Sequence, residues 1–319
     1  MNKLPKEKSA KNHIYETESK ATYSPRLLPL KSDLIFKLVF GDARYIEIIR
    51  AFLVSVLDIP ADDYEDLQII DPHLERDRPD DKLGILDVRV QLKDKRIVSV
   101  EIQVRETPFM AERVAFSTGR NLSRQIAPGQ GYSQIMKVIT IVITNYDIID
   151  SDGYYHHKFW LYDPEKRVGL TDIMEIHTLE MKKLPENTQD DDKENELLNW
   201  LRLIRSDRED EIEMLATKTP EMKTAVGRLK QLSADERTRM RYEARELYLM
   251  DEMARIEGAE ARGVMKGKAE GKAEGKAEGK AEGKIEVARS MFADAMSVDL
   301  VSKFTGLSVE ELLKLRARQ

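Results

Sequence analysis

The chain has 319 residues, a net charge of −6 and no cysteine. This length is enough for one enzyme-sized core and an additional module. The lack of cysteine excludes a disulfide framework and a thiolate zinc site. No apolar run approaches the ~20 residues that a membrane helix needs, and the N-terminus lacks the apolar core of a signal peptide. We therefore expect a soluble, cytoplasmic protein with no membrane partner, in which residues 1–25 form a disordered tail.

The segment GILDVRVQLKDKRIVSVEIQV, residues 84–104, predicts a β-hairpin. Apolar and polar residues alternate in both halves, and a short polar turn centred on Asp94 joins them. This turn places Asp87 opposite Glu101 on the polar face. Like charges at opposed positions destabilise a sheet, and a divalent cation would relieve that repulsion. Oxygen ligands suit a hard ion such as Mg²⁺ or Mn²⁺ rather than zinc. The alternative is a half-exposed hairpin with solvated acids.

The elements around the hairpin follow the order α-β-β-β-α-β. We predict helical structure in SDLIFKLVFGDARYIEIIRAFLVSVL, a strand in DLQIID, a helix over about 108–126 and a strand in MKVITIVIT. The order resembles the PD-(D/E)XK nuclease core, an α/β fold of restriction-endonuclease type. With VEIQV, the motifs DLIFKLVFGD, ERVAFSTGRNLSRQIAPGQGY and LTDIMEIHTLEMKKL resemble the Rpn group of recombination-promoting nucleases, also described as PD-(D/E)XK transposase-like proteins. The resemblance covers residues 28–184.

The resemblance implies a metal-dependent DNA endonuclease with a role in recombination or DNA mobility. Asp87 and Glu101 would bind the cation, which we expect to be Mg²⁺, with Mn²⁺ or Ca²⁺ as alternatives. Gln103 stands where the superfamily has lysine. A neutral amide cannot act as a general base, so it would position a water or a phosphate oxygen. The superfamily often adds an acid from the first helix, for which Asp33 and Glu47 are candidates. Asp33 is our accessory metal ligand, although a first-turn acid also complements the helix dipole.

Basic residues follow one face of the helix after the hairpin, at Arg113, Arg120 and Arg124. They could contact DNA phosphates beside the site, or they could form an ordinary solvated face. His156 and His157 lie among aromatic residues and suggest a strand edge rather than a metal site. The sequence lacks the glycine-rich motifs of nucleotide-binding proteins, so we expect no nucleotide cofactor.

The chain changes character after residue 185, where an acidic linker begins. We predict a charged helical region over 186–262, whose helices would be long and exposed, with apolar stripes that a partner could cover. A GKAE repeat spacer, residues 263–284, would be a marginal helix or a flexible segment, because each glycine disfavours the helix. A short helical module, residues 285–319, follows the repeat.

This module resembles a helix-turn-helix. Glu310 and Glu311, however, would lie where phosphates and bases must fit, and this favours a packing or oligomerisation module. We therefore expect a homo-oligomer formed through the C-terminal region. Two other functions remain open. One is a catalytically inactive DNA-binding protein that kept the nuclease fold, and the other is an oligomeric scaffold.

Overall fold

The computed structural model describes residues 26–70, 87–185 and 193–317. The predicted tail at 1–25, the start of the hairpin at 84–86 and the linker at 186–192 lie outside these residues. The chain divides into two compact units, Met1–Glu243 and Ala244–Gln319. In the part of the chain that the structure describes, no helix is long and apolar enough to cross a membrane.

The first unit contains a six-stranded mixed sheet with the order β1-β2-β3-β4-β6-β5. Its strands are β1 Gln68–Ile70, β2 Val88–Gln91, β3 Ile97–Gln103, β4 Val138–Thr144, β5 His156–Asp163 and β6 Val168–Glu180. Strands β1 to β3 pair antiparallel, β3, β4 and β6 pair parallel, and β5 pairs antiparallel with β6. The predicted mixed α/β fold is confirmed, and β5 is an edge strand, as we expected for His156 and His157.

Helices α1 to α6 belong to the first unit, and the second unit is entirely helical. The bounds of the helices are α1 Asp33–Phe40, α2 Ile46–Val56, α3 Met110–Ser123, α4 Lys193–Arg205, α5 Glu209–Leu215, α6 Pro220–Ala234, α7 Glu236–Ala293, α8 Val298–Thr305 and α9 Val309–Arg316. The first predicted helical stretch is therefore divided into two helices. The division occurs at Gly41, whose N–H still bonds to the carbonyl of Lys37.

The main hydrophobic core lies between one face of the sheet and the helices α1, α2, α4 and α6. Phe40, Phe52 and Trp200 meet edge to face there, with ring centroids 5.7 to 6.3 Å apart. Trp200 and Leu229 are fully buried. The expectation that residues 186–262 form exposed helices was wrong for α4 and α6, because their apolar stripes pack against α1 and α2 and join the main core.

Helix α3 packs on the opposite face of the sheet, against β4 and β6. Val114 contacts Val142 of β4 in a small apolar cluster. The hydroxyl of Thr118 lies 2.8 Å from that of Thr140, so a buried hydrogen bond joins the helix to the same strand. This helix therefore covers the face that carries the polar side chains of the hairpin.

The hairpin has the predicted register. Val88 pairs with Val100 and Arg89 with Ser99. Lys95 closes the turn with a positive φ of 70°, and its N–H bonds to the carbonyl of Leu92. The alternation of apolar and polar residues was therefore sufficient to predict which residues face each other.

The second unit contains most of α7, followed by α8 and α9. Ala288, Val301 and Leu312 form its small core. Ser308 and Glu311 form the predicted capping box at the start of α9, and Gly306 ends α8 with a φ of 68°. The GKAE repeat is helical, and every residue from 261 to 282 is exposed. Of the two states that the sequence left open, the structure shows the helix.

Alanine at the repeat glycines is expected to strengthen this helix. A Cβ added at Gly267, Gly271, Gly275, Gly279 or Gly283 would meet no atom within 4 Å. Each change should therefore contribute its full intrinsic gain of about 0.8–1.0 kcal/mol. The five changes together should slow amide exchange in the repeat by at least tenfold, as measured by hydrogen–deuterium exchange and mass spectrometry. Unchanged exchange in the repeat would show that another interaction already holds the helix.

Candidate metal centre

Two acidic side chains come together on the face of the hairpin that α3 covers. Asp87 immediately precedes β2, and Glu101 lies near the end of β3. Continuing the register of Val88 with Val100 by one residue places Asp87 opposite Glu101. Both side chains then extend from the same face, at the positions where cross-strand pairs contact each other. The structure thus brings together the two acids that the sequence predicted as metal ligands.

Both carboxyl groups are buried, with Asp87 9 % and Glu101 8 % exposed. Burial, and then the charge of Glu101, raise the pKa of Asp87 to about 8. Burial also raises the pKa of Glu101, although Arg113 opposes this shift. The alternative of a hairpin with solvated acids is therefore wrong, because both acids are buried. Two buried, opposed carboxyl groups form a site that favours added positive charge.

Arg113 supplies a positive charge at this site. Its guanidinium Nη2 lies 2.7 Å from Oε1 of Glu101, and its side chain remains about half exposed. Arg113 lies in the first turn of α3, where it reaches both the acidic pair and the surface. Its predicted role in DNA binding stays a prediction, but the structure adds a direct contact with Glu101 that spacing along the helix did not indicate.

The other predicted DNA-binding residues follow Arg113 along α3. Arg120 is partly buried in the last turn of the helix, and Arg124 is exposed at its C-terminal end. Arg89, on the same sheet face as Asp87, adds a further cation, and burial lowers its pKa. Positive charge therefore extends from the acidic pair along the helix.

Gln103, the third predicted site residue, ends β3 on the same face as Glu101. Its amide Nε2 donates to the carbonyl of Arg105 at 3.1 Å and to Oγ1 of Thr107 at 3.0 Å. The nitrogen is thus held by the chain that follows the strand. This anchor was not expected from the sequence, because residues 104–109 have no regular pattern.

The donor set fits a hard divalent cation. Asp87 and Glu101 provide buried carboxylate oxygens, which are the ligands that Mg²⁺, Mn²⁺ and Ca²⁺ prefer. Among the described residues, no group of three or more His, Cys, Asp or Glu side chains could hold a metal ion. Asp33, which we predicted as an accessory ligand, is therefore not brought into a ligand set with the two acids. Its Oδ1 instead accepts a hydrogen bond from the N–H of Leu34 at the start of α1.

Sequence reasoning missed Tyr146, which packs near the site in the cluster under α3. Burial raises the pKa of its phenol. Hydrogen bonding with Thr107 opposes this shift. The position of this tyrosine just after the buried strand β4 was the one indication in the sequence. It did not predict that the side chain would lie near Asp87 and Glu101.

A second polar cluster lies on the other face of the sheet, at its β5 edge. Nε2 of His156 lies 2.8 Å from Nδ1 of His177, and Nε2 of His177 lies 2.7 Å from Oε1 of Glu175. Burial lowers the pKa of His156 to about 4. Although burial alone would raise the pKa of Glu175, hydrogen bonds from His177 and Lys137 keep it below its usual value. The three side chains form a chain of hydrogen bonds and do not converge on a common point.

Two models of known protein families match this chain. Residues 30–259 match the model of the PD-(D/E)XK nuclease family transposases. Residues 281–317 match the C-terminal HTH domain of the Rpn/YhgA-like nuclease family. No curated protein and no solved structure gives a significant match. The first match extends well beyond residue 184, in agreement with the packing of α4 and α6 against α1 and α2 in the main core.

The second match corrects our interpretation of the C-terminal module. We preferred a packing module to a helix-turn-helix because of Glu310 and Glu311. In the structure Glu311 caps α9 and Glu310 pairs with Lys314 at 2.7 Å. Both acids therefore stabilise the helix itself, and their presence does not exclude a helix-turn-helix fold. With more than half of its length matched, the chain belongs to the PD-(D/E)XK nuclease family of transposase-like proteins.

Proposed function

We propose that the protein is a divalent-metal-dependent endonuclease that hydrolyses DNA phosphodiester bonds. The observation that carries this proposal is the opposed, buried pair of Asp87 and Glu101 beneath α3, in a chain of the nuclease family. These two carboxylates would hold the cation, for which we favour Mg²⁺. When bound, such an ion lowers the pKa of a water and stabilises charge on a phosphoryl oxygen.

The residues around the pair have separate roles in this proposal. Arg113 lies against Glu101 and is exposed enough to contact a phosphate of the bound strand. Arg120 and Arg124 continue the positive charge along α3 and would bind flanking phosphates. Burial of Asp87 and Glu101 excludes water from their carboxyl groups, which strengthens their attraction for a cation.

Cleavage of supercoiled plasmid tests this function directly. Purified protein should convert the plasmid to nicked or linear forms in Mg²⁺ or Mn²⁺, and EDTA should stop the reaction. Binding of DNA without metal-dependent turnover would instead support the second candidate, an inactive DNA-binding protein. The observation in favour of that candidate is Gln103, which leaves the site without the lysine of the superfamily.

The C-terminal unit is proposed to bind DNA and to assemble copies of the chain. An HTH domain suggests DNA binding, while exposed apolar residues such as Leu300, Phe304 and Leu313 favour assembly. Both activities would increase the number of active sites delivered to one DNA molecule.

Removing residues 267–319 is expected to leave the sheet and its helices folded, because the main core uses residues of the first unit only. The truncated protein should show a lower oligomeric state by light scattering. Cutting of both strands should then decrease more than nicking of one strand. Equal, monomeric masses for the two proteins would eliminate the assembly role and leave DNA binding as the function of the tail.

A further inference from the structure

The hydrogen bonds of Gln103 determine which way its amide faces. Nε2 donates to the carbonyl oxygen of Arg105, which can only accept, so the nitrogen must lie on that side. Thr107 also contacts Nε2, and its hydroxyl donates in turn to the carbonyl of Arg105 at 3.2 Å. Because the hydroxyl proton of Thr107 is donated to Arg105, the hydroxyl oxygen can only accept a hydrogen bond from Nε2 of Gln103. Both partners assign the same orientation to the amide.

In this orientation the side-chain oxygen of Gln103, Oε1, is available to bind a ligand at the acidic pair. No described residue donates a hydrogen bond to Oε1 of Gln103. The residue is partly buried, and it lies two positions after Glu101 on the same strand, so both side chains extend from one face. We propose that Oε1 of Gln103 is a ligand of the divalent cation held by Asp87 and Glu101. This inference rests on the proposed function, because it requires that cation.

The charge of the site explains why the third ligand is neutral. Once both are ionised to bind a cation, Asp87 and Glu101 would bring two buried negative charges that repel each other. A third carboxylate would add to this repulsion, and the described residues provide no third acid or histidine in a metal-binding group. A glutamine carbonyl is a hard oxygen ligand that completes coordination without further charge. The lysine of the superfamily would instead place a cation beside the metal.

Two substitutions test the role of the Gln103 side-chain oxygen separately from the role of its nitrogen. Gln103→Lys keeps a donor for Arg105 and Thr107 but has no oxygen. Gln103→Glu keeps an oxygen but has no donor. Binding of Mn²⁺ to the full chain is measured by titration calorimetry and by electron paramagnetic resonance, without DNA. Gln91→Lys is the matched control, since Gln91 lies on the same sheet face at the far end of β2.

Affinity for Mn²⁺ is expected to fall at least tenfold in Gln103→Lys, on the order of the loss seen when the supporting partners of metal ligands are removed. Gln103→Glu should bind Mn²⁺ at least as tightly as the wild type, and Gln91→Lys should be unchanged. Wild-type affinity in Gln103→Lys would overturn the inference. A lower rate of cleavage with unchanged Mn²⁺ affinity would also overturn it, because it would show that the amide positions water or phosphate.

Asp87→Asn in the same titration separates this inference from the proposed function. If the wild type does not bind Mn²⁺, or if Asp87→Asn binds it equally well, the metal centre itself is wrong. If Asp87→Asn loses binding while Gln103→Lys keeps it, the metal centre stands and only the role of Gln103 is wrong. Unfolding curves of each variant in EDTA confirm that the comparison is made between folded proteins.

Discussion

Alanine at Asp87 or at Glu101 is expected to abolish metal-dependent cleavage of plasmid DNA. Both acids would contribute to one cation, and metal catalysis supplies several kcal/mol of transition-state stabilisation. Because each 1.36 kcal/mol corresponds to a factor of ten, the rate should fall by about a thousandfold or more. The chain should stay folded, since removal of either acid relieves a buried repulsion between Asp87 and Glu101.

The matched control for this experiment is Glu112→Ala. Glu112 precedes Arg113 in the first turn of α3 but is exposed to solvent, so it should leave cleavage within about twofold of the wild type, as surface substitutions usually have small effects. Rates are compared in Mg²⁺ and Mn²⁺ by the loss of supercoiled plasmid. Nicking at wild-type rates by both purified alanine variants would contradict the hydrolytic mechanism and favour an inactive binding protein.

Asp87→Asn is expected to stabilise the metal-free protein at alkaline pH. The folded state raises the pKa of Asp87 to about 8, first through burial and then through Glu101, whereas an unfolded chain ionises Asp near 4. Between these pH values the folded state binds the additional proton, so the free energy of unfolding decreases as the pH rises. The variant has no carboxyl group at this position and avoids that loss.

In EDTA, the advantage of the variant over the wild type in the free energy of unfolding should be about 4 kcal/mol larger at pH 8.5 than at pH 5. Urea unfolding at both pH values provides the measurement. Adding Mg²⁺ at pH 8.5 should stabilise the wild type, because a ligand of the folded state adds its binding free energy. It should not stabilise the variant. Parallel pH profiles for the two proteins in EDTA would show that Asp87 ionises normally.

The sequence by itself determined the hairpin and the pair of acids on it. Side chains in a strand alternate with a period of two, so a turn at Asp94 is enough to assign the partner of each residue. The pairing of Val88 with Val100 agrees with that assignment. The same local rules predicted the capping box of Ser308 and Glu311, since a helix cap involves residues only three positions apart.

Only the tertiary structure decided what covers these elements. Asp87 and Glu101 are buried, and Glu101 contacts Arg113 of α3, a helix that packs on β4 and β6 on the same face of the sheet. Likewise, the charge of α4 and α6 indicated exposed helices, yet Trp200 and Leu229 lie in the main core. The orientation of Gln103 depends on a loop without a regular pattern. Local periodicity specifies which residues share a face, but burial depends on contacts between segments that are distant in sequence, and these contacts determine the charge of the site.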